Sequence, residues 1–142
     1  MLFVAENVFA ANTLAINSMT KSDACFGPAV SFNVIFQKTG NYTSGNKFIA
    51  QLSDASGGWG SPINIGSITS TVSNGYPIPS IIPANTSVGS GYKIRVVSTT
   101  PVIISNSVSF IINPLPLANA GSSSAICIGS SITLGTTAVG GN

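Results

Sequence analysis

Three carboxylates (Glu6, Asp23 and Asp54) and two thiols (Cys25 and Cys127) are the acidic and nucleophilic groups of a 142-residue chain that contains no histidine. Without histidine the Ser-His-Asp arrangement cannot be written, and no Ser-x-x-Lys pair stands in a context where lysine would replace it. Glycoside hydrolysis needs two carboxyl groups facing each other across a cleft. Glu6 and Asp23 precede the expected core and Asp54 falls in a hairpin loop, so opposed acids are not expected. The chain is read as a non-enzyme.

Metal and cofactor chemistry is equally thin. A calcium shell draws on clustered oxygen ligands and a structural zinc site on four Cys or His, and neither set is present. The run Gly57-Gly58-Trp59-Gly60 is followed by Pro62 and a strand pattern instead of a helix, so it is a loop and not a phosphate cradle. No metal or cofactor is expected. Cys25 and Cys127 either form a disulfide or stay free, and spacing does not decide between the two.

Trp59 is the candidate for ligand contact, with Tyr76 and Tyr42 as helpers: an indole on a sandwich loop can stack on a sugar ring or bury itself in a partner. The competing and preferred reading is that Trp59 caps the core.

Composition sets the class. Charged residues make up 6 % of the chain, where roughly a quarter is usual, so the surface must be built of Ser, Thr, Asn and Gly. The hydrophobic content of 44 %, in β-branched clusters, is more than disordered segments carry. Lys21, Lys38, Lys47, Lys93 and Arg95 are spread along the chain without a cluster that could track a phosphate backbone, so nucleic acid is not an expected partner. No apolar stretch approaches the roughly 18 residues of a membrane span, and membrane insertion is not expected. Leu2 to Ala5 with Val8-Phe9-Ala10 reads either as the tail of a secretory signal or as an apolar strand, and both suit an exported protein.

The elements that must position these groups read as strands. Val30, Phe32, Val34 and Phe36 alternate with Ser31, Asn33 and Ile35, which predicts a strand over 30–36 with one face in the core. Residues 38–46 carry turn chemistry and lead to a strand over 48–52 that directs Phe48, Ala50 and Leu52 inward. A strand over 63–68 is interrupted by Gly66, a mark of a bulge. Pro77, Pro79 and Pro83 confine the next strand to a sheet margin. Strands over 92–98 and 108–112 follow, and a first strand is expected over 14–18. These are about seven strands, the number of an immunoglobulin-like β-sandwich. Tyr92, opening a late strand after a turn-rich segment, is either a corner tyrosine of such a sandwich or an ordinary core tyrosine.

The segment Cys25-Phe26-Gly27-Pro28-Ala29-Val30-Ser31-Phe32 aligns with Cys127-Ile128-Gly129-Ser130-Ser131-Ile132-Thr133-Leu134, 102 residues later. That offset is about one module, with Asn113-Pro114-Leu115-Pro116 as a stiff connection. The expected organisation is an N-terminal segment 1–23 (signal remnant or donor strand), a sandwich 24–112, a Pro-rich linker 113–117, and the start of a second module or an added strand over 118–142.

Gln51-Leu52-Ser53-Asp54-Ala55-Ser56-Gly57, Asn64-Ile65-Gly66, Ile82-Pro83-Ala84 and Gly91-Tyr92-Lys93-Ile94-Arg95-Val96-Val97-Ser98 resemble an immunoglobulin-like repeat of large Bacteroidetes surface proteins. Residues 118–142 resemble the opening of a PKD-like module. The resemblance implies an all-β spacer, adhesin stalk or appendage of a protein exported by the type IX route, secreted or held at the cell surface. The expectation is a structural module that self-associates as a fibre subunit, with residues 2–16 or 125–134 donating a strand within or between chains, or that serves as a stalk. The alternative is a carbohydrate-binding accessory domain of a secreted hydrolase, for which surface glycans would be the partners.

Overall fold

The computed structural model describes residues 11–69 and 76–116, together with Ile128. Among them there is no helix, and eight strands form two sheets. The strands are β1 (Thr13–Met19), β2 (Asp23–Cys25), β3 (Val30–Thr39), β4 (Lys47–Leu52), β5 (Ile63–Thr69), β6 (Pro77–Ile82), β7 (Gly89–Ser98) and β8 (Val108–Asn113). One sheet has the order β1-β3-β6 and the other β2-β8-β7-β4-β5.

Period-two patterning explains why the two sheets stack. Phe32, Val34 and Phe36 of β3 meet Phe48, Ala50 and Leu52 of β4, Ile94 and Val96 of β7, and Phe110 and Ile112 of β8 in a single buried core. Rings bridge the layers directly: Phe32 lies 5.3 Å from Phe110 and Phe36 lies 4.6 Å from Phe48, centroid to centroid. Burying side chains of this size contributes about 1.5–3 kcal/mol each, which makes this β-sandwich core the main source of cohesion.

Three features depart from the sequence reading. The sandwich takes in β1, the first strand expected over 14–18, whereas the expected boundary at residue 24 left it in the preceding segment: Leu14 and Ile16 are core residues. The three-residue β2, running parallel to β8 with Asp23 opposite Ile111, was not foreseen, because a strand this short leaves no periodic signal. Lys38, expected in a turn, instead continues the inward face of β3; it is buried, with Nζ 4.8 Å from the Tyr42 ring centroid and 5.8 Å from that of Phe48.

The expected interruption at Gly66 is present. Ala50 pairs with Gly66 and Gln51 with Asn64, so Ile65 is the extra, bulged residue of β5, and its side chain turns into the core. Gly66 then packs so closely on β6 that a Cβ there would collide with the Pro79 carbonyl and the Ser80 side chain. This contact closes one side of the sandwich, with β6 at the sheet margin its prolines require.

Strand direction fixes two poles. The upper pole holds the connections β3–β4 and β7–β8, tied by Thr43 N–H donating to the Thr100 carbonyl at 3.2 Å. The lower pole holds the connections β4–β5 and β6–β7. Thr13 pairs with Thr39, so the described chain enters at the upper pole. Ile112 pairs with Gly89 and Asn113 with Cys25, so it leaves at the lower pole, into Pro114-Leu115-Pro116.

Candidate functional site

The lower-pole connection from Ser53 to Pro62 is built on Asp54. Its Oδ1 accepts the N–H groups of Ser56 at 2.9 Å and Gly58 at 2.7 Å, while its backbone N–H donates to the Gly58 carbonyl at 3.0 Å. Asp54 therefore shapes the loop. Gly57 occupies the left-handed region at φ 85°, which a side chain would strain, and lies against the Lys93 side-chain stem.

The loop delivers Trp59 to the outer face of the five-stranded sheet. The Arg95 guanidinium stacks over the indole with its carbon 4.1 Å from the ring centroid. Arg95 Nε donates to Gln51 Oε1 at 3.0 Å, and Gln51 Nε2 donates to Asn64 Oδ1, also at 3.0 Å. An aromatic, a cation and two amides thus form a continuous relay across β7, β4 and β5. Trp59 is half-buried on this face and is not a member of the core, so the cap reading gives way to a surface role.

The other residues named for ligand contact do not join it. Tyr42 is a core residue whose ring lies 5.1 Å from Phe48 and whose hydroxyl donates to the Thr13 carbonyl at 2.7 Å. Burial raises its phenol above the ordinary value of 10.0. Tyr76 is exposed, and it precedes Pro77, which pairs with Ile35 on the half of β3 nearer the upper pole. Trp59, stacked on Arg95 of β7, therefore joins neither helper. Cys25 is exposed on β2 and bonded to no other cysteine among the described residues, while Cys127, its proposed partner, and the second copy of its motif lie outside them apart from Ile128.

Charge is sorted between the two outer faces. β1 and β6 contain no charged residue and the single cation of β3, Lys38, points inward, so the outer face of the three-stranded sheet is neutral. A groove over that face is lined by Ser31, Asn33, Pro79 and Ile81. The five-stranded sheet carries Lys47, Lys93 and Arg95 outward. Asp23 stands at its far margin, bonded to Asn113 Nδ2 at 2.9 Å. The sequence reading treated these cations as dispersed, because their numbers are far apart; the pairing of β4 with β7 brings them onto one surface.

Among the described residues no three His, Cys, Asp or Glu side chains gather to hold a metal ion. No helix of the described residues is long and apolar enough to cross a membrane. Compared with known proteins, the chain matches no family model, no curated protein and no solved structure.

Proposed function

We propose that the chain is a non-catalytic structural module of an exported surface protein, an immunoglobulin-like sandwich strung end to end with others as a stalk or fibre. The observation that carries this reading is the passage of the chain from one pole to the other, with a proline-stiffened exit. Such a unit adds length without doubling back. The corner expected of an immunoglobulin-like sandwich supports the fold assignment, since the Tyr92 hydroxyl bonds back to the Ser87 carbonyl at 2.9 Å.

The reading is tested with two copies of residues 11–116 joined through their own Pro114-Leu115-Pro116 and examined by small-angle X-ray scattering. The expected particle is elongated, close to twice the single-module length; a folded-back pair overturns the proposal.

Strand sharing between chains has its own supporting observation. β2 covers only Ile111 to Asn113, so Val108, Ser109 and Phe110 are paired on the β7 side alone among the described residues. A donated strand would find hydrogen-bonding groups there. Residues 13–16 of the expected donor 2–16 pair with the chain's own β3, which favours donation within the chain for that part. Assemblies of the whole chain, sized by light scattering and viewed by electron microscopy, are expected to shrink when residues 1–12 or 117–142 are removed. Unchanged assemblies after both deletions sink strand sharing and leave the stalk.

A further inference from the structure

We infer that the outer face of the five-stranded sheet binds a carboxylated polysaccharide, a chain of uronate-type sugars, with Arg95 and Trp59 as the central contacts. This site is separate from the poles and edges invoked above, and it stands or falls independently of them.

Arg95 leaves part of its guanidinium unused. Its Nε is committed to Gln51 Oε1, and its plane is held against Trp59. Its two terminal nitrogens donate to no group among the described residues, although the side chain is half-buried and fixed. A guanidinium held in this way is a planar two-pronged donor whose ordering cost has been met by the fold. Carboxylates match that fork with two parallel hydrogen bonds.

Lys93 and Lys47 extend the cationic surface in both directions along the strands. Lys93 is two residues from Arg95 on β7, about 7 Å away along the strand. Lys47 lies beside Thr99, bonded to it through Lys47 N–H to Thr99 Oγ1 at 2.9 Å, and so about 13 Å beyond Arg95 along the strands. Three cations in a line roughly 20 Å long suit a linear, regularly charged chain better than a compact anion. Between them the face offers amides and an indole, the groups that meet sugar hydroxyls and sugar rings. The outer face of the opposite sheet has no charge with which to compete.

Nucleic acid is the other polyanion to weigh. Three cations would neutralise few phosphates and give a weak, salt-labile complex, and bases would need more than one aromatic platform to stack. One indole set among amides favours the sugar chain.

The test is affinity electrophoresis of the whole chain through gels containing polygalacturonate, its fully methyl-esterified form, dextran sulfate or poly(dT). Retardation by polygalacturonate alone, weakened at least tenfold in Arg95→Gln and not restored in Arg95→Lys, supports the proposal; Lys21→Gln, in the connection between β1 and β2 and outside the row of three cations, should behave as the native chain. Trp59→Ala should also weaken binding, with circular dichroism showing that each variant remains folded. No retardation of the native chain overturns the proposal. So does equal retardation by the methyl ester, preference for dextran sulfate, retardation by poly(dT) as strong as by polygalacturonate, or full binding by Arg95→Gln.

Discussion

The Tyr92 hydroxyl donates to the carbonyl of Ser87, five residues earlier, at 2.9 Å, and so pins the β6–β7 connection to the strand it feeds. The Tyr92 ring is buried in the core while its hydroxyl reaches the loop, so one side chain couples the two. Tyr92→Phe keeps the ring and removes the bond. It is expected to lower stability by about 1 kcal/mol, read as a shifted urea midpoint with an unchanged slope.

Asn46 does comparable work at the upper pole. Its Oδ1 accepts from Thr99 N–H at 3.0 Å, Thr99 Oγ1 at 3.2 Å and Thr100 N–H at 2.7 Å, fastening the β3–β4 connection to the β7–β8 connection. Its Nδ2 is buried without a hydrogen-bond partner among the described residues, so the acceptor side of the amide carries the hydrogen bonding. Asn46→Ala strands the Thr100 N–H, while the Thr99 N–H keeps the Lys47 carbonyl at 3.0 Å, and is expected to cost about 1–2 kcal/mol. Hydrogen exchange should show faster opening at Thr99 and Thr100 than at the lower pole.

Gly66 tests the closed side of the sandwich. A methyl group at this position meets the Pro79 carbonyl and Ser80, both on a strand that cannot retreat without losing its pairing with β3. Gly66→Ala is expected to destabilise by about 1–3 kcal/mol through overpacking, measured by thermal melting. Gly60, where a Cβ would meet nothing, is the control: Gly60→Ala should melt with the native chain.

Tyr42 gives the fold an alkaline limit. Burial raises its phenol above 10.0, so in the folded chain it keeps its proton at a pH where the unfolded chain has released it. Its contribution is therefore present in full below pH about 10 and is lost as pH rises through the higher folded value. Native stability should fall over that interval, and Tyr42→Phe, less stable at neutral pH for want of the bond to Thr13, should fall less steeply. Denaturation midpoints from pH 8 to 11.5 check the difference.

Much of this architecture was legible in the residues themselves. The alternation through Phe32, Val34 and Phe36, and again through Tyr92, Ile94 and Val96, specifies which side faces the core. The prolines around Ile78 exclude a central strand, and Gly66 marks the bulge. What escaped is non-local. Lys38 obeys the inward period of β3, but its charge and the turn residues after it argued for a loop; inside, its ammonium lies over the rings of Tyr42 and Phe48. Tyr42 looked like a surface aromatic beside Asn41 and Thr43, yet it turns inward to meet Phe48. The gathering of Lys47, Lys93 and Arg95 depends on which strands are neighbours, and spacing along the chain does not encode that. Trp59 was expected to cap the core, while its stack on Arg95 follows from the loop shape that Asp54 imposes.

The sheet switch between β1 and β2 decides how copies of this fold can be arranged. Both strands run the same way, one paired with β3 and the other with β8, so together they are one traverse of the sandwich, and eight strands amount to seven traverses. Seven is odd. If the chain reversed between β1 and β2, the count would become even and both ends would emerge at the same pole, giving a unit that can terminate an array but not extend it. In the proposed end-to-end array, extension thus rests on a short kink, Thr20-Lys21-Ser22, with no buried side chain of its own.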